Sequence, residues 1–406
     1  MGTALEYFVE AWYNIYVRYY TNLEIFMRKI TSNFLAFLLA IALCLSLSSC
    51  YDFDTSGGGG GAGLSNSGGK NDKNGKNETL AEVVSSGDLQ IHFLELGNKF
   101  TGDCTYIKAG ENDILIDAGS RASSVETINE YISEYVTDKK LEYVIVTHAH
   151  QDHYAGFATS QNATSLFDIY ECEVIIDFAQ ITSGKEDGEQ YKNYIRERDD
   201  EIAKGAKHYT AAEAVQMGGK FDLGEGITLT VLDSYYYYNR AKSENDHSVC
   251  TLIEDGTNSY LFTGDLEKEG EEKLVAMNKL PKVKLYKAGH HGSKTSSSEA
   301  LLSVIKPEIV CVCCCAGSPE YTDANENQFP TQQFINRIAP YTDKVYVTTL
   351  CVDYKKGEFT SMNGNIVVYS VGGTVNVAFS ASDKKLKDTE WFKKNRTAPA
   401  AWANAS

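Results

Sequence analysis

Proline is scarce in this chain, 6 residues in 406, and no segment repeats at a fixed period, which excludes collagen-like and solenoid designs. Positive charge is also short. Against 55 Asp and Glu stand 38 Lys and Arg, a formal net charge of -17. Such a chain repels polyanions at long range, so an extended DNA-coating surface is excluded unless local Lys clusters override the average. The apolar-rich run from Phe34 to Leu47 falls short of the roughly 20 residues that a membrane span needs. What the chain does have is core material: 43% hydrophobic residues, with 26 Tyr and 17 Phe, enough for one large domain or two ordinary ones.

The N-terminal region carries signals of export. Met27, Arg28 and Lys29 precede the apolar run, and Leu47-Ser48-Ser49-Cys50 follows it, the order of charge, apolar segment and small residues found in secretory signals. The Leu-Ser-Ser-Cys ending resembles a bacterial lipobox. That resemblance implies a signal peptide over 27–50, lipidation of Cys50, and a protein tethered to the outer face of the cell membrane. Residues 1–26 then represent either a start codon placed too early or a true cytoplasmic extension. From Tyr51 to about Gly87 the chain is rich in Gly, Ser, Asn and Asp, including Gly57 to Gly61, and is expected to be a flexible leash. Residues 384–406 mix Lys, Asp, Ala and Asn without a clear period, and are expected to be a loose tail.

The folded domain is therefore expected over 88–383. Short β-branched runs separated by Gly97, Gly102 and Gly110 predict that it opens with strands at Leu89 to Leu96, Thr105 to Lys108 and Asp113 to Ile116. Val125, Ile128, Ile132 and Val136 recur at helical spacing, and Tyr143 to Val146 returns to strand. Further strands are expected near 173–178, 227–232, 249–253, 260–263, 283–286, 309–312, 345–348 and 366–369, with helices near 191–203, 268–277, 299–305 and 331–338. Strand meanders mixed with helices predict two sheets covered by helices, an α/β fold unlike a single doubly wound sheet.

Straight after the strand ending at Val146 comes Thr147-His148-Ala149-His150-Gln151-Asp152-His153. At 8 His in 406 residues, three in prescribed slots would arise by chance on the order of once in a hundred thousand registers. A strand end that delivers three imidazoles and a carboxylate within six positions can aim nitrogen and oxygen donors at one or two cations.

The segment His148-x-His150-x-Asp152-His153 resembles the signature of metallo-β-lactamase-fold hydrolases. Other motifs follow in that family's order. Leu115-Ile116-Asp117-Ala118-Gly119 resembles the early strand whose Asp orients the metal loop. Leu261-Phe262-Thr263-Gly264-Asp265 resembles the strand ending in the Asp that bridges two metals. Lys287-Ala288-Gly289-His290-His291-Gly292-Ser293 resembles the late His-His-Gly-Ser element. Together with Gly102-Asp103 and Asn245-Asp246-His247-Ser248, these are similar to the extracellular hydrolase domain of ComEC-like DNA-uptake proteins and to related secreted phosphoesterases, over about Ile91 to Gly373.

The resemblance implies an αββα four-layer sandwich and two divalent metal ions, zinc first, with manganese or iron as alternatives. His148, His150 and His247 would hold one ion. Asp152, His153 and one of the pair His290–His291 would hold the other, with Asp265 between them. His290 is taken as the ligand because it ends a strand region, which leaves His291 to assist catalysis beside Asp152 by hydrogen-bonding an oxyanion or protonating a leaving group. Asp117 and Asp103 would orient the imidazoles, and Ser293 and Lys294 would meet the substrate. The implied substrate is a phosphoester or phosphodiester, nucleic acid included; a lactam, lactone or cell-wall ester is the rival, and a surface or DNA-uptake protein without catalysis is a third. The sequence points to no protein partner.

One position departs from the ComEC-like pattern. Asn327-Gln328-Phe329-Pro330 carries Phe329 where that pattern has His. Lys282, Lys284, Lys287 and Lys294 form a local basic patch, expected as a solvated edge face first and a phosphate contact second. Tyr235 to Tyr238 is expected as packing before a stacking wall. Past Cys50 remain eight Cys without zinc spacing, four of them at Cys311, Cys313, Cys314 and Cys315 in a strand pattern, where alternate thiols face opposite sides and buried free thiols are the default. His92 and His208 stand outside every motif and are expected to be structural.

Overall fold

The computed structural model describes residues 79–160, 163–182 and 184–403. The expected signal segment, Cys50 and nearly all of the expected leash lie outside the described residues.

Sixteen strands form two eight-stranded sheets. The first takes β1 (Leu89–Phe93), β2 (Thr105–Ala109), β3 (Asn112–Ile116), β4 (Lys140–Val146), β5 (Glu171–Asp177) and β6 (Lys207–Thr210). The second takes β7 (Lys220–Asp222), β8 (Thr228–Val231), β9 (Thr251–Glu254), β10 (Ser259–Phe262), β11 (Leu285–Lys287), β12 (Ile309–Ala316), β13 (Val345–Asp353) and β14 (Glu358–Ser361), after which β15 (Ile366–Val371) and β16 (Thr374–Phe379) return to the first. Their orders are β16-β15-β1-β2-β3-β4-β5-β6 and β14-β13-β12-β11-β10-β9-β8-β7. The first sheet runs antiparallel and then parallel, from β3 to β6, whereas the second has a parallel middle, β10 to β13, with antiparallel strands on both sides.

The strand of cysteines shows how the layers are made. With a side-chain period of two, Cys311 and Cys313 of β12 join the core between the sheets, while Val310, Val312 and Cys314 face the other way. There they pack with Leu301, Leu302 and Ile305 of the helix Glu299–Ile305 and with Phe334, Ile335 and Ile338 of the helix Gln332–Ile338. Phe93 and Phe262 meet across the sandwich, ring centroids 6.4 Å apart. On the outer face of the first sheet lie Ile128 and Ile132 of the helix Ser124–Ile132 and Tyr194 of the helix Glu189–Lys204. The mixed α/β architecture with two large sheets is the expected one.

Three expectations about the periphery are corrected. Leu80–Val84, placed in the leash, is a helix: Thr79 and Glu82 form a reciprocal capping box, and Val84 is buried. The tail contains the helices Glu390–Asn395 and Ala400–Ala403. Aromatic side chains anchor it, Phe392 and Trp402 being buried in the outer layer of the second sheet, and Trp402 Nε1 donating to Thr342 O at 2.8 Å. Lys287 is 3% exposed and belongs to no solvated edge. Among the described residues no helix is long and apolar enough to cross a membrane.

Candidate metal centre

Both sheets deliver side chains to one edge. The first contributes the loop after β4, where the short helix Gln151–Tyr154 turns Asp152 and His153 inward. The second contributes Asp265 after β10 and the turn after β11 that carries His290 and His291. That turn is tight: His290 and His291 have φ of 47° and 55°, left-handed values uncommon for residues with a Cβ and typical of strained functional turns. Gly264, φ 50°, lies so close to Ser248 that an added Cβ would sit 2.8 Å from Ser248 Oγ, and the same hydroxyl accepts from Asp265 N at 3.0 Å. Close backbone approach therefore sets where Asp265 points.

Asp152, His153, Asp265 and His291 bring one ligand atom each within 4.8 Å of all the others. His153 Nε2 and His291 Nε2 both lie 3.2 Å from Asp265 Oδ2, and His291 Nε2 lies 3.4 Å from Asp152 Oδ2. His153 Nε2, His291 Nε2 and Asp265 Oδ1 are buried and have no hydrogen-bond partner. Buried polar atoms without partners are costly, so the two imidazole nitrogens, each 3.2 Å from Asp265 Oδ2, fit a bound cation, whereas Asp265 Oδ1 faces the Lys287 ammonium 3.7 Å away.

Behind the cage, carboxylates aim the imidazoles. Asp117 accepts from His153 Nδ1 at 2.7 Å and from Thr147 N and Oγ1, both at 2.8 Å. Asp103 Oδ1 lies 3.2 Å from His291 Nδ1, which also meets Cys313 O at 2.9 Å. These partners fix which ring nitrogen faces the cage. Asp103, Asp117 and His153 form a second acidic group of the same spacing. That group already has its cation, because the buried Lys287 ammonium pairs with Asp103 and lies 3.7 Å from Asp265 Oδ1.

Electrostatics set the cage apart from its neighbours. Burial alone would push the His153 and His291 imidazoles down, but Asp265 and Asp103, joined by Asp117 at His153 and by Asp152 at His291, outweigh it and hold both well above the usual histidine range. Burial would push Asp265 up, yet His153 and His291 hold it well below the carboxylate range. His148 goes the other way, pushed down by burial and then by its neighbours His153 and His150.

The expected ligand set needs two corrections. His291, not His290, enters the cage; His290 Nε2 stands 3.9 Å from Asp265 Oδ2, and its Nδ1 meets Thr295 Oγ1 at 3.1 Å. The left-handed turn makes this exchange, since a strand-end argument cannot say which of two successive imidazoles faces inward. His247 is turned away: its Nδ1 meets Tyr236 O at 3.2 Å and its Nε2 accepts from Ala241 N at 3.4 Å. The 3-10 turn Glu244–His247 places the next residue, Ser248, toward the centre instead, with Oγ 3.4 Å from His148 Nδ1.

His148 and His150 are adjacent, Nε2 to Nδ1 3.0 Å apart, but among the described residues neither belongs to a group of three or more His, Cys, Asp or Glu atoms within 4.8 Å of one another. Ser293 Oγ is occupied by Thr295 Oγ1 at 3.0 Å, and the exposed Lys294 reaches Asn327 Oδ1 at 3.0 Å. His92 is buried between Gln90 and Tyr131, and His208 pairs with Asp177 at 2.9 Å, both away from the centre.

Tyr321 carries no sequence signal, and Phe329 and Lys287 have places at the centre that their motifs do not show. Tyr321 donates to Asp152 Oδ2 at 2.8 Å from a loop without any motif. Phe329 lies 5.8 Å from the His290 ring, 5.7 Å from the His291 ring and 5.7 Å from the Tyr321 ring, an apolar wall where the departure from the family pattern falls. Lys287 was visible as the start of the His-His-Gly-Ser element and as one of several Lys in a basic patch; its seat on a three-residue parallel strand at the sandwich centre was the missing signal. A cavity of about 580 Å³ opens on the centre, lined in part by Arg121, His150, Asp152, Lys185, His290 and Tyr321.

Comparison with known proteins agrees with this geometry. The family model of the metallo-beta-lactamase superfamily matches residues 97–171, which hold Asp103, Asp117 and the His148–His153 loop. Recombination protein 2 of Haemophilus influenzae is 28% identical over 235 residues, 57% of this chain and 25% of that protein. ComE operon protein 3 of Bacillus subtilis is 28% identical over 179 residues, 42% of this chain and 19% of that protein. The chain thus spans a quarter or less of the length of these relatives. Among solved structures, the metallo-beta-lactamase fold protein YhfI from Bacillus subtilis aligns at 13% identity with a TM-score of 0.35, covering 67% of this chain and 99% of that one. Residues 97–171 accordingly match the metallo-beta-lactamase superfamily, and the chain is similar over part of its length to Recombination protein 2 and ComE operon protein 3.

Proposed function

We propose that this chain is a metal-dependent hydrolase of phosphoesters or phosphodiesters, nucleic acid among them, that works outside the cytoplasm on a lipid tether at Cys50. The observation that carries the chemistry is the buried cage of Asp152, His153, Asp265 and His291, whose inward imidazole nitrogens have no hydrogen-bond partner. Divalent cations there, zinc or alternatively manganese or iron, would polarise the scissile oxygen and lower the pKa of bound water toward neutrality.

The chain's own residues do the rest. Asp117 and Asp103 hold the cage imidazoles in register from behind. Tyr321 fixes the Asp152 carboxylate and closes one side of the cavity. His290, half-exposed at the cavity and steadied by Thr295, takes the role the sequence reading had given to His291: it is placed to hydrogen-bond an oxygen as negative charge develops on it. Lys185 lines the same cavity and offers positive charge to an anionic phosphoester that a neutral lactam would not use, while Arg121, also in the lining, is paired with Glu320 at 2.8 Å. The similarity to competence proteins supports a nucleic-acid substrate, and the Leu47-Ser48-Ser49-Cys50 sequence supports the tether.

Full-length protein reconstituted with zinc or manganese should cleave bis-p-nitrophenyl phosphate, and the double substitution His150→Ala with Asp152→Ala should abolish cleavage with the circular dichroism spectrum unchanged. Cleavage of lactones or cell-wall esters alone would move the assignment to acyl hydrolysis. A salt-dependent gel shift of DNA without cleavage would make the protein a binding module. Cys50→Ala should release the protein from the membrane fraction.

A further inference from the structure

We infer that Arg337 is a positioning residue for the metal cage: its guanidinium holds the segment after the His290–His291 turn in the path that keeps both residues left-handed and His291, in place of His290, facing inward. The inference rests on the reading of the cage as a metal site and not on the identity of the substrate.

Two successive residues with a Cβ at positive φ are strained, and such backbone persists only where its surroundings over-determine it. The turn itself supplies a bond from Ser293 N to His290 O at 2.8 Å. Much of the remaining constraint lies in the segment that follows. Ser293 to Ser297 belong to no helix or strand, so their five carbonyls need donors from elsewhere. Four of the five converge on one side chain. Arg337 Nε donates to Ser297 O at 2.8 Å, and Nη2 is shared among Ser296 O at 2.6 Å, Lys294 O at 3.1 Å and Ser293 O at 3.3 Å. The fifth, Thr295 O, accepts from Lys268 N at 2.9 Å.

A planar fork of donors suits this cluster of carbonyls, whereas a lysine ammonium offers a single point of charge. The base of the fork is itself fixed. Arg337 sits in the last turn of the helix Gln332–Ile338, and Thr331, which caps that helix, donates to Gly292 O from N at 2.9 Å and from Oγ1 at 3.1 Å. One helix thus grips the chain immediately after His291 and again at Ser297. The far end is closed by Glu271, buried in the helix Lys268–Met277, which accepts from Ser297 N and Ser298 N, both at 2.6 Å. The Arg337 bonds run to backbone carbonyls, so it acts on the cage through the turn and not by contact with an ion or a substrate.

The test reads metal geometry, not turnover. Full-length protein stripped by a chelator is titrated with cobalt(II), whose visible absorption reports its ligands, and affinity is measured by competition with a chromophoric chelator. Arg337→Lys keeps the charge and the stem but loses the fork; it should weaken cobalt binding by about ten-fold or more and shift the visible bands, with the far-UV circular dichroism unchanged. His290→Ala should alter cobalt affinity by less than about two-fold in the unsubstituted chain, and by about five-fold or more in the Arg337→Lys background, where a relaxed turn lets His290 compete for the cage. As a second route, Arg337→Ala with added ethylguanidinium, which returns the fork without its tether, should recover the original bands, and ethylammonium should not. Unshifted bands and unchanged affinity in a folded Arg337→Lys, with only a lower melting temperature, would overturn the inference and leave Arg337 a stabilising residue. Failure of both variants to fold, with or without ethylguanidinium, would also remove the positioning role. An unsubstituted chain that binds no cobalt would sink the metal-dependent reading and this inference together, whereas one that binds cobalt as described but cleaves no phosphoester would sink the proposed function alone.

Discussion

The cage and the pair His148–His150 share a loop, His148 to His153, yet they differ in how many parts of the chain they need. The pair is local: two imidazoles two residues apart meet whenever the loop adopts its turn. The cage draws on both sheets, with Asp152 and His153 from the first and Asp265 and His291 from the second, and exists only once the sandwich has closed. Donors brought from distant positions cost chain entropy, which packing of the inter-sheet core repays, and the reward is a coordination set that a single loop does not supply.

This contrast can be broken most severely at a residue that belongs to the cage alone. His291→Ala should lower kcat/KM by about a thousand-fold or more, since it removes a group that holds the activating ion; retention of activity within ten-fold would return the ligand role to His290. Next in size, Asp103→Asn leaves every cage donor in place but weakens the support of His291. A loss of about 10- to 100-fold in metal affinity is expected at the cage, measured by competition with a chromophoric chelator. An unchanged affinity would mean that Cys313 O alone suffices to aim the ring.

His247→Phe should change metal content and kcat by less than about two-fold while costing on the order of 1 kcal/mol of stability through the lost bond to Tyr236 O. Loss of a bound metal ion in this variant would restore His247 as a ligand. The smallest effect on the centre is expected at His92, and it sharpens the contrast by showing a histidine with no cation to meet. Burial pushes His92 down to about 3, so the unfolded chain takes up its proton before the folded one does. The stability it supports is present above the unfolded value near 6.5 and is lost as pH falls toward 3, at most about 1.4 kcal/mol per pH unit. Melting temperature should therefore fall less steeply between pH 6.5 and 4 in His92→Phe than in the unsubstituted chain, with metal binding at neutral pH untouched.

Legibility followed the range of the interaction. The strand-to-loop passage Val146 to His153 was readable because its period and its ligand types are local properties, and Asp117, Asp265 and Asp103 were readable because the short motifs around them resemble those of the metallo-β-lactamase-fold hydrolases. The leash and tail were misjudged at Leu80–Val84 and Glu390–Asn395, where polar composition hid a Thr79–Glu82 cap and the buried aromatics Phe392 and Trp402. Tyr321 bears no motif and Lys287 only opens the His-His-Gly-Ser element, and the roles of both depend on what faces them across the site.

Composition, periodicity and ligand spacing in the amino-acid order were enough to determine an acidic α/β chain with two sheets and a histidine loop at a strand end, and the family resemblance added Asp265 as a ligand. Tertiary structure alone decided that His291 faces inward in place of His290, that His247 faces away, and that Lys287 is a buried counter-ion. The physical reason is direction: spacing along a chain says which donors can reach a common point, whereas the left-handed turn at His290–His291 and the 3-10 turn at Glu244–His247 set where each ring points.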